Sequence, residues 1–399
     1  MRQLTDQEIV RREKLEEIRN FTNPYPEKFE TTHFLREARE LQDGTKDVSI
    51  AGRIVFMRKM GKLSFIKIRD IEADIQVQLK GDVTNPEDYE FFKKLVDVGD
   101  FLGATGEIIT TQTGEKTLLA SSIKFLGKAL KPLPEKYHGL NDTELKYRQR
   151  YIDLISNEES RKIFLGRSKY YLYVRNYLAD HGFLEVETPI IQTSVSGATA
   201  KPFFTHYNAL DLDCNLRIAP ECYLKELIAA GYNRVYEMAK CFRNEGMDPQ
   251  HNPEFTQIEL YCAYWNFEDN IKFFEEFLRN SIKFLTGTTT IEVQGNVIDF
   301  GKPFERINYI ERLTEILGFN FLKETDIEEY KKKVVDKKLF SIKELEDYKS
   351  LGQLTDFLYK KLLRANIIGP VVMYNYPAML KPLARRNDND SNIVDYTQM

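Results

Sequence analysis

Cysteine is scarce in this 399-residue chain: Cys214, Cys222, Cys241 and Cys262 form no CxxC pair and show no metal-ligand spacing with the five histidines. A disulfide framework is therefore not expected; reduced thiols of a cytoplasmic protein are, most of them filling core. No apolar run approaches membrane-spanning length, and the opening "MRQLTDQEIVRREKLEEIRN" is charged throughout. Neither a signal peptide nor a membrane anchor is expected. The 57 basic residues stand against 61 acidic ones, a net charge of −4. No overall basic excess advertises nucleic acid, although a local basic face can still bind it. Neither GxxxxGK[ST] nor GxGxxG occurs, so any nucleotide must be held by side chains rather than by a glycine-rich turn. Internal repeats and low-complexity segments are missing as well.

What is present is ordinary for a globular protein, with 42% hydrophobic and 30% charged residues and length for two or three domains. Residues 1–46 form a lead-in, with a helix over 5 to 19 opened by the capping-box spacing of Thr5 and Glu8. Residues 47–130 read as short alternating strands with glycine-containing turns, hence a small β-barrel. One strand carries Arg53, Phe56 and Arg58, the next Phe65, Lys67 and Arg69. Cations interleaved with rings suit single-stranded nucleic acid, because bases stack on rings while phosphates meet the charges; the same rings equally suit a core. Residues 131–156, "KPLPEKYHGLNDTELKYRQRYIDLIS" from position 131 on, read as a linker followed by a helix. From 157 to 399 a long amphipathic helix ends at Gly182, "FLEVETPII" reads as a strand closed by Pro189, and strands and helices then mix without βαβ rhythm. This predicts an α+β domain on an antiparallel sheet, with a charged helical insertion near 305–365.

The densest chemistry lies in "FRNEGMDPQHNPEFTQIELY", residues 242 to 261. A period of two on each side of its loop predicts a hairpin. Arg243, Glu245, Phe255, Glu259 and Tyr261 then share one face, while Ile258, Leu260 and Cys262 turn into apolar packing. One reading is a solvated sheet face with weak surface ion pairs. The other is a ligand site: an arginine grips a carboxylate or phosphate as a fork, and Glu259 and Tyr261 offer acceptors to a cation. A further acid, Glu221, follows Pro220 at a helix start in "RIAPE".

These segments resemble the class II aminoacyl-tRNA synthetases, with the lysyl branch nearest and the aspartyl and asparaginyl branches next. "HGFLEVETPII" is similar to the family's first motif and "FRNEG…HNPEFTQIELY" to its second; "MGKLSF", "DIQVQL", "YRQRYIDLI", "GATAKPFFTHYNALDLD" and "RIAPE" fit the lysyl context. The likeness runs from about residue 5 to 395. It implies a five-stranded OB-fold barrel that binds the anticodon, with Phe65 stacking and Gln76 hydrogen-bonding a base. It also implies a catalytic domain that joins lysine to tRNA(Lys) through lysyl-adenylate. Arg243 would clamp the lysine carboxylate and the ATP α-phosphate; Phe255 would stack on adenine; Glu245 and His251 would contact the nucleotide. Gly197 and Glu221 would hold the lysine α-amine, and Glu259 and Tyr261 its ε-ammonium. Pro189 would lie at a homodimer interface.

The likeness stops before the family's third motif, a glycine-rich stretch with an arginine for the ATP γ-phosphate. Gln398 stands where the family usually carries an acid, and Arg385 and Arg386 lie in a stretch that resembles the family's "PLA" plus basic pair rather than its third motif. The expectation is a C-terminally truncated chain whose magnesium ligands lie beyond its end and which makes little lysyl-adenylate. Three accounts remain open: a fragment or decayed copy, a UGA tryptophan codon translated as stop (Trp265 is the single tryptophan), or a protein that binds tRNA without aminoacylating it.

Overall fold

The computed structural model describes residues 3–134, 142–248 and 251–399. The chain divides into two compact units, Met1–Leu165 and Gly166–Met399. Part of the expected linker, 135–141, and Pro249 of the hairpin loop lie outside the described residues.

In the first unit, α1 (Asp6–Phe21) starts at the expected capping box: Thr5 Oγ1 accepts the Glu8 N–H, and Glu8 accepts the Thr5 N–H at 2.8 Å. After the short α2 (Leu35–Glu40) come β1 (Val48–Met60), β2 (Leu63–Arg69) and β3 (Asp74–Lys80), then α3 (Pro86–Leu95), β4 (Phe101–Thr110) and β5 (Lys116–Gly127). The five strands close into a barrel in the order β1-β2-β3-β5-β4. Strict alternation makes this possible: Ile66, Ile68, Ile75, Val77 and Leu79 are buried, while Phe65, Lys67, Gln76 and Gln78 point outward. Where β4 and β5 shift register, Gly106 lets them approach; a Cβ there would sit 2.0 Å from the Leu119 carbonyl oxygen. The helix α3 interrupts the all-strand expectation. Its signal is local: Asn85 caps the Glu87 and Asp88 N–H groups, and Pro86 opens the first turn.

One ion network pins the barrel. Lys128 is fully buried and donates to Asp97 at 2.6 Å, Asp100 at 2.8 Å and the Leu95 carbonyl at 2.9 Å. Lys14 of α1 reaches Asp97 at 2.7 Å, and Arg11 donates to the carbonyls of Val98 and Ala129. The chain then enters α4 (Thr143–Arg148), α5 (Arg150–Ser156) and α6 (Glu158–Asp180).

The second unit is α+β. It orders β6 (Leu184–Glu185), β7 (Ile191–Gln192), β8 (Phe204–Tyr207), β9 (Leu212–Leu216), α7 (Glu221–Ala229), β10 (Arg234–Phe242), β11 (Glu254–Cys262) and α8 (Phe267–Thr286). Then follow β12 (Thr290–Val293), β13 (Asn296–Asp299), β14 (Glu305–Asn308), α9 (Tyr309–Leu317), α10 (Ile327–Asp336), α11 (Ile342–Leu345), α12 (Leu351–Leu358), β15 (Val371–Tyr374), β16 (Tyr376–Pro377) and β17 (Ile393–Val394). The longest pairing, β10 with β11, is antiparallel, but β6–β10 and β14–β15 are parallel, so the sheet content is mixed. "FLEVETPII" is not one strand. It yields only β6 and β7, because Pro189 lacks an N–H and divides them.

Apolar faces of α6 and α8, including Val174, Tyr177, Leu178 and Phe273, pack against Tyr236, Leu260 and Cys262 of the hairpin. The helices α9, α10, α11 and α12 share another core with Met373, Tyr376 and Val394. All four cysteines are free thiols, and burial pushes the Cys241 thiol up to about 11.

Candidate active site and nucleic-acid face

The hairpin register sets the site. Cys241 pairs with Phe255, Ala239 with Gln257, Glu237 with Glu259 and Val235 with Tyr261, so these side chains occupy one face. Arg243 lies just beyond β10, and its N–H donates to the Pro253 carbonyl at 2.8 Å, which prolongs the pairing. Its guanidinium sits 5.0 Å from the Phe255 ring centroid. Nη2 has only a long contact, 3.5 Å, to the Ile218 carbonyl, and the buried Nε has no partner. A buried donor without a partner is costly.

Glu259 accepts from Gln257 Nε2 at 2.7 Å and from the Tyr261 hydroxyl at 3.3 Å. Burial raises the Glu259 carboxyl above its ordinary value, and the Glu221 and Glu237 charges push the same way against Tyr261 and Arg243. Tyr261 is likewise raised, first by burial and then by Glu259 and Glu221. Such a cluster favours a cation, which would relieve both burial and repulsion. Glu221 stands in the first turn of α7, paired with Lys225 at 2.5 Å. Gly197, at φ +85°, packs directly against it: a Cβ on Gly197 would lie 3.1 Å from the Glu221 Cβ and 3.1 Å from the Ala219 Cβ.

The structure thus brings Arg243 to Phe255, Gly197 to Glu221, and Glu259 to Tyr261. It leaves other expected residues apart. Glu245 and His251 are exposed on the loop, and His251 Nδ1 contacts Asp248 at 2.8 Å rather than the Arg243 face. Pro189 is exposed beside the exposed Ile190 and Ile191. Ile258 corrects the sequence reading: it is 37% exposed, not packed, because β11 is an edge strand and the aromatic cluster covers only its Leu260–Cys262 end.

In the first unit, Phe65 and Gln76 share the outer face of β2 and β3. Phe65 lies opposite Gln78, and Lys67 opposite Gln76. Gln76 donates to Thr117 at 3.0 Å. A bulge between Ile54 and Phe56 brings Phe56 opposite Lys67 and Arg58 opposite Phe65. Arg53 is held down on the barrel surface instead: it donates to the Gly99 carbonyl at 2.8 Å and lies 4.1 Å from the exposed Phe101 ring.

Among the described residues no three His, Cys, Asp or Glu side chains gather as a metal site. Nor is any described helix long and apolar enough to cross a membrane.

Residues 142–398 match the family of tRNA synthetases class II (D, K and N), and residues 48–126 match the OB-fold nucleic acid binding domain. The chain belongs to the class II tRNA synthetases, ATP-using ligases. Among its relatives, the lysine–tRNA ligase of Streptococcus pneumoniae (strain CGSP14) is 41% identical over 405 residues, 99% of this chain and 81% of that protein. The lysine–tRNA ligase of Enterococcus faecalis (strain ATCC 700802 / V583) is 40% identical over 402 residues, 98% of this chain and 80% of that protein. That of Streptococcus mutans serotype c is 42% identical over 403 residues, 98% of this chain and 80% of that protein.

Sequence reasoning missed four participants. Gln257 orients Glu259, and the period-two pattern already placed it on that face. Arg217 and Glu237 form a buried ion pair at 2.6 Å beneath it, capped by Thr188, whose hydroxyl donates to Glu237 at 2.7 Å. No local pattern marks that pair, since its members come from separate segments.

Proposed function

We propose that this chain activates lysine with ATP and transfers it to tRNA(Lys). The observation that carries the reading is the acceptor cluster of Glu221, Glu259 and Tyr261 beside an arginine with an unpaired buried nitrogen. A lysine ammonium meets the acids, and its carboxylate and the ATP α-phosphate meet Arg243. An aspartate side chain would face like charge there, and an asparagine amide would leave the acids unneutralised; a site built for one polar group rejects another strongly.

Phe255 provides the adenine a stacking face, and Glu245 and His251 meet the nucleotide from the loop when it is bound. Gly197, closed against Glu221, offers its backbone to the α-amine beside that carboxylate. The lysine carboxylate attacks the α-phosphorus, forming a phosphorus–oxygen bond as pyrophosphate leaves. A 3′-terminal hydroxyl of tRNA then attacks the adenylate carbonyl, and AMP leaves. No protein nucleophile is needed: positioning and charge stabilisation by Arg243 do the catalysis. The barrel face around Phe65 and Gln76 reads the anticodon, the exposed stretch at Pro189 seats a second copy, and the cytoplasm is the place of action.

The test is lysine-dependent ATP–pyrophosphate exchange by the 399-residue chain, with Glu259→Gln as control. Exchange that requires lysine and is lost in the variant supports the reading. Exchange driven by aspartate or asparagine instead would overturn it. Binding of tRNA(Lys) without any exchange would leave a tRNA-binding protein, not a ligase.

A further inference from the structure

The buried pair beside the candidate site has more partners than packing alone requires. Arg217 follows β9; its N–H donates to the Ile190 carbonyl and its own carbonyl accepts the Phe242 N–H, both at 2.9 Å. Its side chain donates to the Lys240 carbonyl at 2.7 Å, to the Thr188 carbonyl and hydroxyl at 3.0 Å, and pairs with Glu237 at 2.6 Å. The side chains are only 3% and 5% exposed. The next residue, Ile218, offers the carbonyl that Arg243 touches, and Ala219 and Glu221 pack on Gly197. Glu237 lies directly across the hairpin from Glu259, on the same face.

We propose that Arg217 and Glu237 are positioning residues for cation recognition: the pair holds the segment that presents Arg243 and Glu221, and Glu237 supplies a fixed negative charge behind Glu259. This rests on the lysine reading of the site. The pair is neutral as a unit, so removing either member leaves an uncompensated charge close to Glu259. The signs are opposite. Glu237→Gln leaves the Arg217 cation, which repels a lysine ammonium and favours ionised Glu259. Arg217→Gln leaves the Glu237 anion, which attracts the ammonium and holds a proton on Glu259. The other charged or titratable groups around Glu259 are Glu221, Tyr261, Arg243 and Cys241, and both variants keep them.

The test is calorimetric lysine binding to the full chain as a function of pH, for the parent protein, Glu237→Gln, Arg217→Gln and the doubly neutral Arg217→Met/Glu237→Met, each checked for a cooperative melt. In Glu237→Gln the lysine affinity falls about tenfold at neutral pH, the scale of one charge removed at short range, and the pH at which binding is half lost moves down. In Arg217→Gln that pH moves up. Displacements in the same direction, or a folded double variant with the parent's lysine affinity and pH profile, would overturn the inference. A parent protein that binds no lysine overturns the underlying reading and the inference with it. If a single variant fails to melt cooperatively, the doubly neutral protein decides, since replacing a buried pair by apolar residues preserves folding in known cases.

Discussion

Two cations, one in each unit, meet opposite fates. Lys128 of the barrel is fully buried and its ammonium spends all three donors on Asp97, Asp100 and the Leu95 carbonyl. Arg243 of the hairpin keeps a buried nitrogen unpaired and leans on a ring. The barrel charge is complete within the chain and contributes to holding the fold. The hairpin charge keeps one donor unpaired within the chain, and in the proposed reading a ligand meets it. Satisfied burial serves the fold, and a buried donor left unpaired beside an acceptor cluster is open to a ligand group in the proposed reading.

The sharpest way to break this contrast is to delete both cations. Lys128→Ala strands Asp100 in the core and is expected to destabilise the first unit by about 3–5 kcal/mol in denaturant unfolding. Arg243→Ala is expected to change stability by about 1 kcal/mol or less while lowering exchange by about 10²–10³-fold. Equal stability losses would erase the distinction.

Next in size is the outer barrel face. Phe65 points away from the core, so Phe65→Ala should weaken tRNA binding by about 1–3 kcal/mol, the worth of one stacked base, without altering exchange or the melting temperature. A large melting shift would show that the ring serves the fold.

The smallest effect concerns Glu259. Burial raises its folded carboxyl above the unfolded value. Below the unfolded value both states are protonated and the fold carries no penalty; the penalty grows as pH rises and is complete above the folded value. Glu259→Gln should therefore raise the melting temperature slightly near pH 8 and leave it unchanged near pH 4, values chosen to lie on either side of about 4.3. Stabilisation at the acidic end instead would reverse the assigned cause.

Much of this was legible in advance for local reasons. The capping box of α1, the barrel strands and the hairpin face follow from nearest-neighbour spacing, and the register then places Phe255, Glu259 and Tyr261 as the period predicts. The helix α3 was equally legible in Asn85 and Pro86 but is short enough to hide among strands. The exposed Ile258 was not: whether an apolar strand residue is covered depends on which helix lies above it.

By itself the sequence determined the family, the α+β class, the order of the units and the residue types at the site, because these depend on motif, period and capping within a few residues of each other. Tertiary structure decided what each charge does. Only the β1 bulge turned Phe56 and Arg58 onto the face of Phe65. Only the meeting of the segments around Thr188, Arg217 and Glu237 made a buried ion pair of Arg217 and Glu237 and joined the Thr188 hydroxyl to it. Burial and pairing are properties of contacts far apart in sequence, and electrostatic consequence follows from burial.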